Sequence, residues 1–396
     1  MKNIHLIFIF LLSGILISTA SHGQTSWKGT VSSSWNTAAN WTSGVPSSGV
    51  NVIIGDENFT GSYQPSISTP SACSSLTVGG EKAATLTIGK NLTVAGALTI
   101  TSNGTVSHGK GSVTLSGNLS NSGTYTTTSN NASMNFSGTA QTISGAVTST
   151  FRKMTINTGS VVTLAANITV SGNGSQLLVN GTLQPGGSPT FQATVTTLVV
   201  NPNGVLKVNA ATFAANYSAS NVILNAGSIV EYSATAVNQT ISHTLTYATL
   251  RISGSGIKSL SGNLPALNSS NASEGNIYVN AGTLDLGAYT ANRGTSVAGG
   301  TISVANGAVL KIGGTNSFPV NYAGNTLSLT STVEYSGANQ TVSAKTYGNL
   351  TLSSSGGTAL KTMPATALTI AGNLTSTLGH GHCGKFYSSF GCFSKR

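Results

Sequence analysis

Seven carboxylates are available to this chain for acid–base chemistry: Asp56, Glu57, Glu81, Glu231, Glu274, Asp285 and Glu334. Cleavage of a sugar bond needs two acids held close together, or an acid beside a base or a calcium ion. Their spacing supplies no such cluster. Glu231 and Glu334 stand in matching contexts, Glu231-Tyr232-Ser233 and Glu334-Tyr335-Ser336. A residue that recurs with a repeat reads as structural, and the spacing predicts both on one face of the molecule. Asp56 and Glu57 are adjacent, so in a strand they point to opposite sides; they are placed in a loop. Glu274 and Asp285 have no supporting neighbour. His108 and His243 lack a ligand-spaced partner and read as turn or surface histidines. His380, His382, Cys383 and Cys392 have the chemistry of a metal site, but their segment is short, Gly-rich and isolated. The expectation is a chain without catalytic residues, cofactor or metal.

The aromatic residues offer a second kind of chemistry. Trp27, Trp35 and Trp41 fall within one short stretch. Large aromatics bury much area, and a stacked fold needs a closed first layer, so the cluster reads as a seal at the amino-terminal end. The competing reading is a sugar-stacking platform. It makes Trp35, Trp41, Tyr232 and Tyr335 the candidate glycan contacts, with Tyr217 and Tyr322 as further exposed rings.

Composition narrows the class. Charged residues are 6% of the chain, against about 25% in ordinary domains. Gly contributes 48 residues and hydrophobic types 39%, spread as short β-branched runs that can line a long, narrow core. The net charge of +10 reflects a shortage of acids. Its lysines and arginines are scattered singly rather than interleaved with aromatics, which argues against a nucleic-acid partner. Attraction to anionic polysaccharide is a property such a surface retains. Three cysteines, Cys73, Cys383 and Cys392, make no disulfide framework.

Lys2, the apolar run from Ile4 to Ile17 and the small residues Ser18, Thr19, Ala20, Ser21 and Gly23 have the layout of a secretory signal peptide, residues 1–23. The run is short for a bilayer span, and no later segment is long and apolar enough to cross.

After it, strand-like units recur: Leu76-Thr77-Val78, Leu86-Thr87-Ile88, Leu92-Thr93-Val94, Leu98-Thr99-Ile100, Ile168-Thr169-Val170 and Leu368-Thr369-Ile370. Each alternates apolar and polar, the period of a half-buried strand, and Gly or Asn stands at most of their ends. A longer repeat overlies them. Gln141-Thr142, Gln239-Thr240 and Gln340-Thr341, each following Phe or Tyr and Ser, are 98 and 101 residues apart. Val205-Leu206-Lys207-Val208 matches Val309-Leu310-Lys311-Ile312, and Asn216-Tyr217 matches Asn321-Tyr322. One coil of a β-solenoid takes roughly 20–25 residues, so each long unit spans four or five coils. A coil cannot bury its own apolar side; stacking does so. The fold expected is all-β, a right-handed parallel β-helix (β-solenoid), with inward Val, Ile and Leu ladders, Asn and Thr ladders outside, and an aromatic-rich amino-terminal cap. The alternative is a string of separate β-sandwich domains.

The start of the mature chain resembles that of large secreted bacterial β-helix proteins of adhesin or autotransporter-passenger type, on Trp27, Gly29, Trp35, Asn40, Trp41, Gly44, Pro46, Val52 and Ile54. The resemblance covers about one-tenth of the chain. It implies attachment or surface coating through broad polar faces, with cell-surface or extracellular polysaccharide as partner. The alternatives are a carbohydrate-binding module and a polysaccharide-degrading enzyme, because pectate lyases and polygalacturonases are also parallel β-helices. The expected organisation is 1–23 export segment, 24–70 Trp-rich cap, 71–378 β-helix and 379–396 a tail of different composition. That tail is read as out of frame or truncated relative to a longer chain.

Overall fold

A computed structural model describes residues 23–186, 192–354, 356 and 359–378. The strands stack in parallel into a β-solenoid of about 14 coils. Residues 1–22, which hold all but Gly23 of the expected signal peptide, and residues 379–396, with the His380, His382, Cys383 and Cys392 set, lie outside the described residues.

Successive strands turn through three walls. Leu76–Val78, Ala84–Ile88 and Leu92–Val94 lie in three different sheets, and Leu98–Ile100 returns to the first, with Leu76 paired to Leu98. A fourteen-stranded sheet runs from Gly23–Ser26 to Gly324–Leu327. A four-stranded sheet and a ten-stranded sheet complete the early coils, and a seven-stranded sheet from Gln239–Ile241 to Leu374–Ser376 serves the later ones.

The alternation read in the sequence sets what faces inward. Val52, Leu76, Leu98, Leu119, Ile143 and Leu164 stack in register and are buried. Each such side chain contributes about 1.5–3 kcal/mol on burial, and none acquires it until the next coil covers it. At one corner Asn201 donates from its amide to Asn180 (2.6 Å) and accepts from Asn225 (2.8 Å), a short asparagine ladder.

The amino-terminal end is closed by the tryptophans. Trp41 meets both Trp27 and Trp35 edge-on, with centroids 4.9 and 4.8 Å apart. Trp27 donates its indole N–H to the Tyr63 carbonyl, and Trp41 to that of Trp35.

The long repeat has a physical basis at the corners. Gln141, Gln239 and Gln340 are all buried. The Gln239 Nε2 donates to the Val208 and Ala210 carbonyls of the preceding coil (2.9 and 2.8 Å), while its Oε1 accepts from Ala234 N. Gln141 and Gln340 repeat this pattern. Each glutamine thus fastens a corner to the coil beneath. Tyrosine pairs add a second fastener: Tyr232 and Tyr247 hydroxyls meet at 3.1 Å, as do those of Tyr335 and Tyr347.

The copies do not share a face. Ala132–Phe136 belongs to the ten-stranded sheet, Ile229–Tyr232 to the fourteen-stranded sheet and Thr332–Tyr335 to the seven-stranded sheet. The repeat therefore equals whole coils plus one wall. Glu231 and Glu334, expected on one face, stand on different walls for this reason.

Replacing Gln239 by Leu strands the Ala210 carbonyl and the Ala234 N–H, while the Val208 carbonyl keeps Ser233 N, each orphan costing about 1–3 kcal/mol. The expected outcome is a clearly lowered melting midpoint. Thr240→Ala, on the exposed neighbour, is expected to change stability by no more than about 0.5 kcal/mol. Equal midpoints for the two variants would remove the fastening role.

Candidate functional site

The acids are dispersed and engaged singly. Arg251 lies beside Glu231 in the ladder and approaches it to 3.3 Å, and Lys311 lies beside Asp285 at 4.0 Å. Glu334 accepts from the Ser353 hydroxyl at 2.6 Å. Asp56 sits in a loop, as expected, accepting from Ser26 and from Asn58 N. These are cross-coil pairs and turn caps, and partly exposed pairs of this kind contribute about 0–1 kcal/mol. Glu274 is buried beside a loop that encloses Arg293, and its Oε2 has no partner. Among the described residues no group of three or more His, Cys, Asp or Glu side chains converges on a metal position.

The proposed glycan contacts are placed inside the core. Trp35 and Trp41 are 1% and 2% exposed, and Tyr232 and Tyr335 are 0%. A ring without an open face cannot stack on a sugar, so these four residues do not form the platform the sequence suggested. Tyr217 is likewise buried, its hydroxyl donating to the Lys207 carbonyl. Tyr322 is half-buried and its hydroxyl donates to the Ala291 carbonyl. The tyrosines are inward residues with a polar tip that reaches a corner carbonyl or a second tyrosine. Burial holds the Tyr232 phenol up at about 12, opposed by its hydrogen bonds to Tyr247 and Ser242.

His108 is a further correction. It is fully buried, not a surface residue. Its Nε2 donates to the Gly111 carbonyl (3.0 Å), which leaves Nδ1 to accept from the Tyr125 hydroxyl (2.8 Å). Burial lowers its pKa, so the neutral ring is the resident form. Cys73 is a buried free thiol, pushed up to about 12 by desolvation, and so is inert as a nucleophile. His243 is exposed, and its Nδ1 meets the Ser261 hydroxyl at 3.0 Å one coil away. Gly262 makes room for that ring: a Cβ there would lie 2.8 Å from it. The pair has the composition of a nucleophile and base, but the other ring nitrogen has no orienting partner.

Three cations are buried with no salt bridge to an acid among the described residues. Arg293 donates Nε to the Glu274 carbonyl and Nη2 to that of Asn271, both at 2.8 Å, and Nη1 to the Gly294 and Val297 carbonyls. Gly275 and Gly300, at φ +71° and +64°, permit this, since a Cβ at either would strike the arginine side chain. Lys258 and Lys361 stack on Gln239 and Gln340 respectively. The Lys361 Nζ donates to the Gly337 carbonyl (2.7 Å) and Gln340 Oε1 (2.5 Å), and Lys258 to the Ala234 carbonyl (2.9 Å). The sequence carried a signal for this: Ile257-Lys258-Ser259-Leu260 parallels Leu360-Lys361-Thr362-Met363 one long repeat later.

The surface holds two shallow grooves at repeat-equivalent places. One, about 420 Å³, lies between Phe213–Tyr217 and Thr240–Leu245; the other, about 460 Å³, lies between Phe318–Tyr322 and Thr341–Lys345. Their aromatic walls match, buried Phe213 with buried Phe318 and buried Tyr217 with half-buried Tyr322. Their outer residues do not: His243-Thr244 in one becomes Ala344-Lys345 in the other. Elsewhere the walls carry outward hydroxyls in register, as in Thr85–Thr105–Thr124 and Thr87–Ser107–Thr126.

Lys361 has a measurable signature. Desolvation lowers its pKa to about 8, against a smaller opposing influence of Glu334. Between that value and the ordinary lysine range the unfolded chain binds a proton the folded chain lacks, so stability rises with pH across the window. It is lost again as the pH falls through about 8. The wild-type minus Lys361→Met difference in melting midpoint is expected to grow from pH 7.5 to pH 10. A difference independent of pH would contradict this burial.

Comparison with protein-family models, with curated proteins and with solved structures finds no match.

Proposed function

We propose that this chain is an exported, non-catalytic repeat rod that attaches to or coats a surface through its polar walls. The observation that carries this reading is the selective character of the long repeat. Its copies preserve the buried glutamines Gln141, Gln239 and Gln340, and the last two copies also the tyrosine pairs, while the groove residues facing solvent change from His243-Thr244 to Ala344-Lys345. Repetition of this kind lengthens a scaffold; it does not copy a binding pocket.

The dispersed acids and the positive charge support the same reading. The acids are used one at a time to tie neighbouring coils. Extended walls of hydroxyls and scattered cations engage a polysaccharide by many weak contacts, whose sum rises with the number engaged together. The resemblance of the opening around Trp27, Trp35 and Trp41 to adhesin-type proteins and the signal-peptide layout of residues 1–23 support a partner outside the cell. No helix among the described residues is long and apolar enough to cross a membrane.

The test is adsorption of the purified chain to immobilised polysaccharides of graded negative charge, with product release followed in parallel. The expected result is salt-weakened, length-dependent adsorption with no release of reducing or unsaturated sugars. Release of such sugars would establish the enzyme reading instead. Stoichiometric binding of a single short oligosaccharide would establish a discrete carbohydrate-binding module.

A further inference from the structure

We propose that the wall built from Ala84–Ile88, Gly104–His108 and Thr124–Thr127 binds ice through its ordered hydroxyls. This goes beyond polysaccharide attachment and rests on a different observation.

The wall presents a two-dimensional array. One column is Thr85, Thr105 and Thr124; the other is Thr87, Ser107 and Thr126. Between them point Leu86, Val106 and Tyr125, all buried. Adjacent strands in such a ladder lie about 4.7–4.9 Å apart, and positions two residues apart along a strand lie about 6.6 Å apart. The array therefore repeats in two directions at spacings close to those of water oxygens on a prism face of ice. The lattice is a property of the backbone ladder, so it persists over each rung that carries a hydroxyl.

The second, independent observation concerns the state of these hydroxyls. None of the six bonds to another protein group. On the neighbouring walls some outward groups are engaged, Ser112 with Ser133 at 2.8 Å, Ser116 with Ser137 at 3.0 Å and Gln184 with Thr163 at 3.0 Å, and the unengaged ones, Thr77–Thr99 and Thr93–Thr114, stand in single columns rather than a double one. Charge near the array lies at its margins, at Glu81, Lys82, Lys90 and Lys110. Apart from Gln64, which accepts from Thr85 N at the edge of the array, the wall carries no amide, charged side chain or exposed ring with which to grip a sugar. It has what an ordered water layer needs, a hydroxyl at each regularly spaced point and a methyl beside it at every point but Ser107.

Threonine suits this task for a conformational reason. Its branched Cβ leaves χ1 few choices, so the hydroxyls are held in place before binding and little rotamer entropy remains to be lost. Each hydroxyl–water contact is weak, but they form together on a rigid lattice, and adsorption strengthens with the number of rungs.

The experiment measures the freezing-point hysteresis, crystal shape and grain growth of ice in solutions of the purified chain. The expected result is faceted crystals and arrested grain growth. Thr105→Tyr and Ser107→Lys each insert a bulky group between rungs while pointing away from the core, and each is expected to raise the concentration needed by about tenfold or more. Thr114→Tyr, on the neighbouring wall, is expected to leave activity unchanged. Melting midpoints of the three variants report whether each has folded, and Ser107→Lys stands in should Thr105→Tyr fail. Rounded, freely growing crystals with the wild-type chain would overturn the proposal. So would full activity in the folded Thr105→Tyr or Ser107→Lys variant, or a comparable loss in Thr114→Tyr.

Discussion

The structure depends on one constraint: each coil must lie in register on the coil before it. A strand of three to five residues holds too few hydrogen bonds and too little apolar area to persist alone. In register it gains a full ladder, and its inward side chain is covered from both sides. Shifting a coil by one residue would turn Val52, Leu76 and Leu98 outward and Thr77 and Thr99 inward. The corner glutamines act against that slip. Gln239 reaches down to Val208 and Ala210 of the coil below and at the same time receives Ala234 N of its own coil, so it is satisfied in one register only.

The scarcity of acids has a structural counterpart. A buried cation is costly unless paired, and Lys258, Lys361 and Arg293 have no carboxylate partner. Their charge is instead met by carbonyl oxygens at coil corners, where the backbone turns and its acceptors are not used by the ladder. The corners thus serve as solvent for these groups. Backbone carbonyls also receive tyrosine hydroxyls, as when Tyr217 donates to the carbonyl of Lys207 in the strand Val205–Val208. Tyr217, Tyr232, Tyr335, Lys258 and Lys361 are therefore inward residues with an apolar stem and a hydrogen-bonded polar tip, and not surface contacts.

Much of the architecture was legible from residue order. Units such as Leu98-Thr99-Ile100 state which side chains face inward, and Gly or Asn at their ends states where the chain turns. What alternation does not report is the depth of a corner residue, because that is decided by the coil above. His108, Tyr232 and Tyr335 were read as exposed on polarity alone, yet the next coil covers each. The placement of Glu231 and Glu334 on different walls was hidden for a related reason: a repeat of whole coils plus one wall looks, along the sequence, like a repeat of whole coils. The asparagine ladder through Asn180, Asn201 and Asn225 was legible in kind, since only stacking brings those amides together. The free hydroxyls of the Thr105 wall were legible as outward residues but not as unengaged ones.

The most direct measurement of continuous in-register stacking is the separation of two spin labels on one outward column. Thr163 and Ser303 lie in strands six steps apart in the fourteen-stranded sheet, on the column that runs through Gln184, Lys207, Glu231, Arg251 and Tyr278. With the native cysteines replaced, the account predicts a single narrow distance near 29 Å, about 4.8 Å for each step. Moving the second label to Tyr278 should shorten it by one step. A broad distribution, or a distance that does not change with the number of coils between the labels, would contradict it.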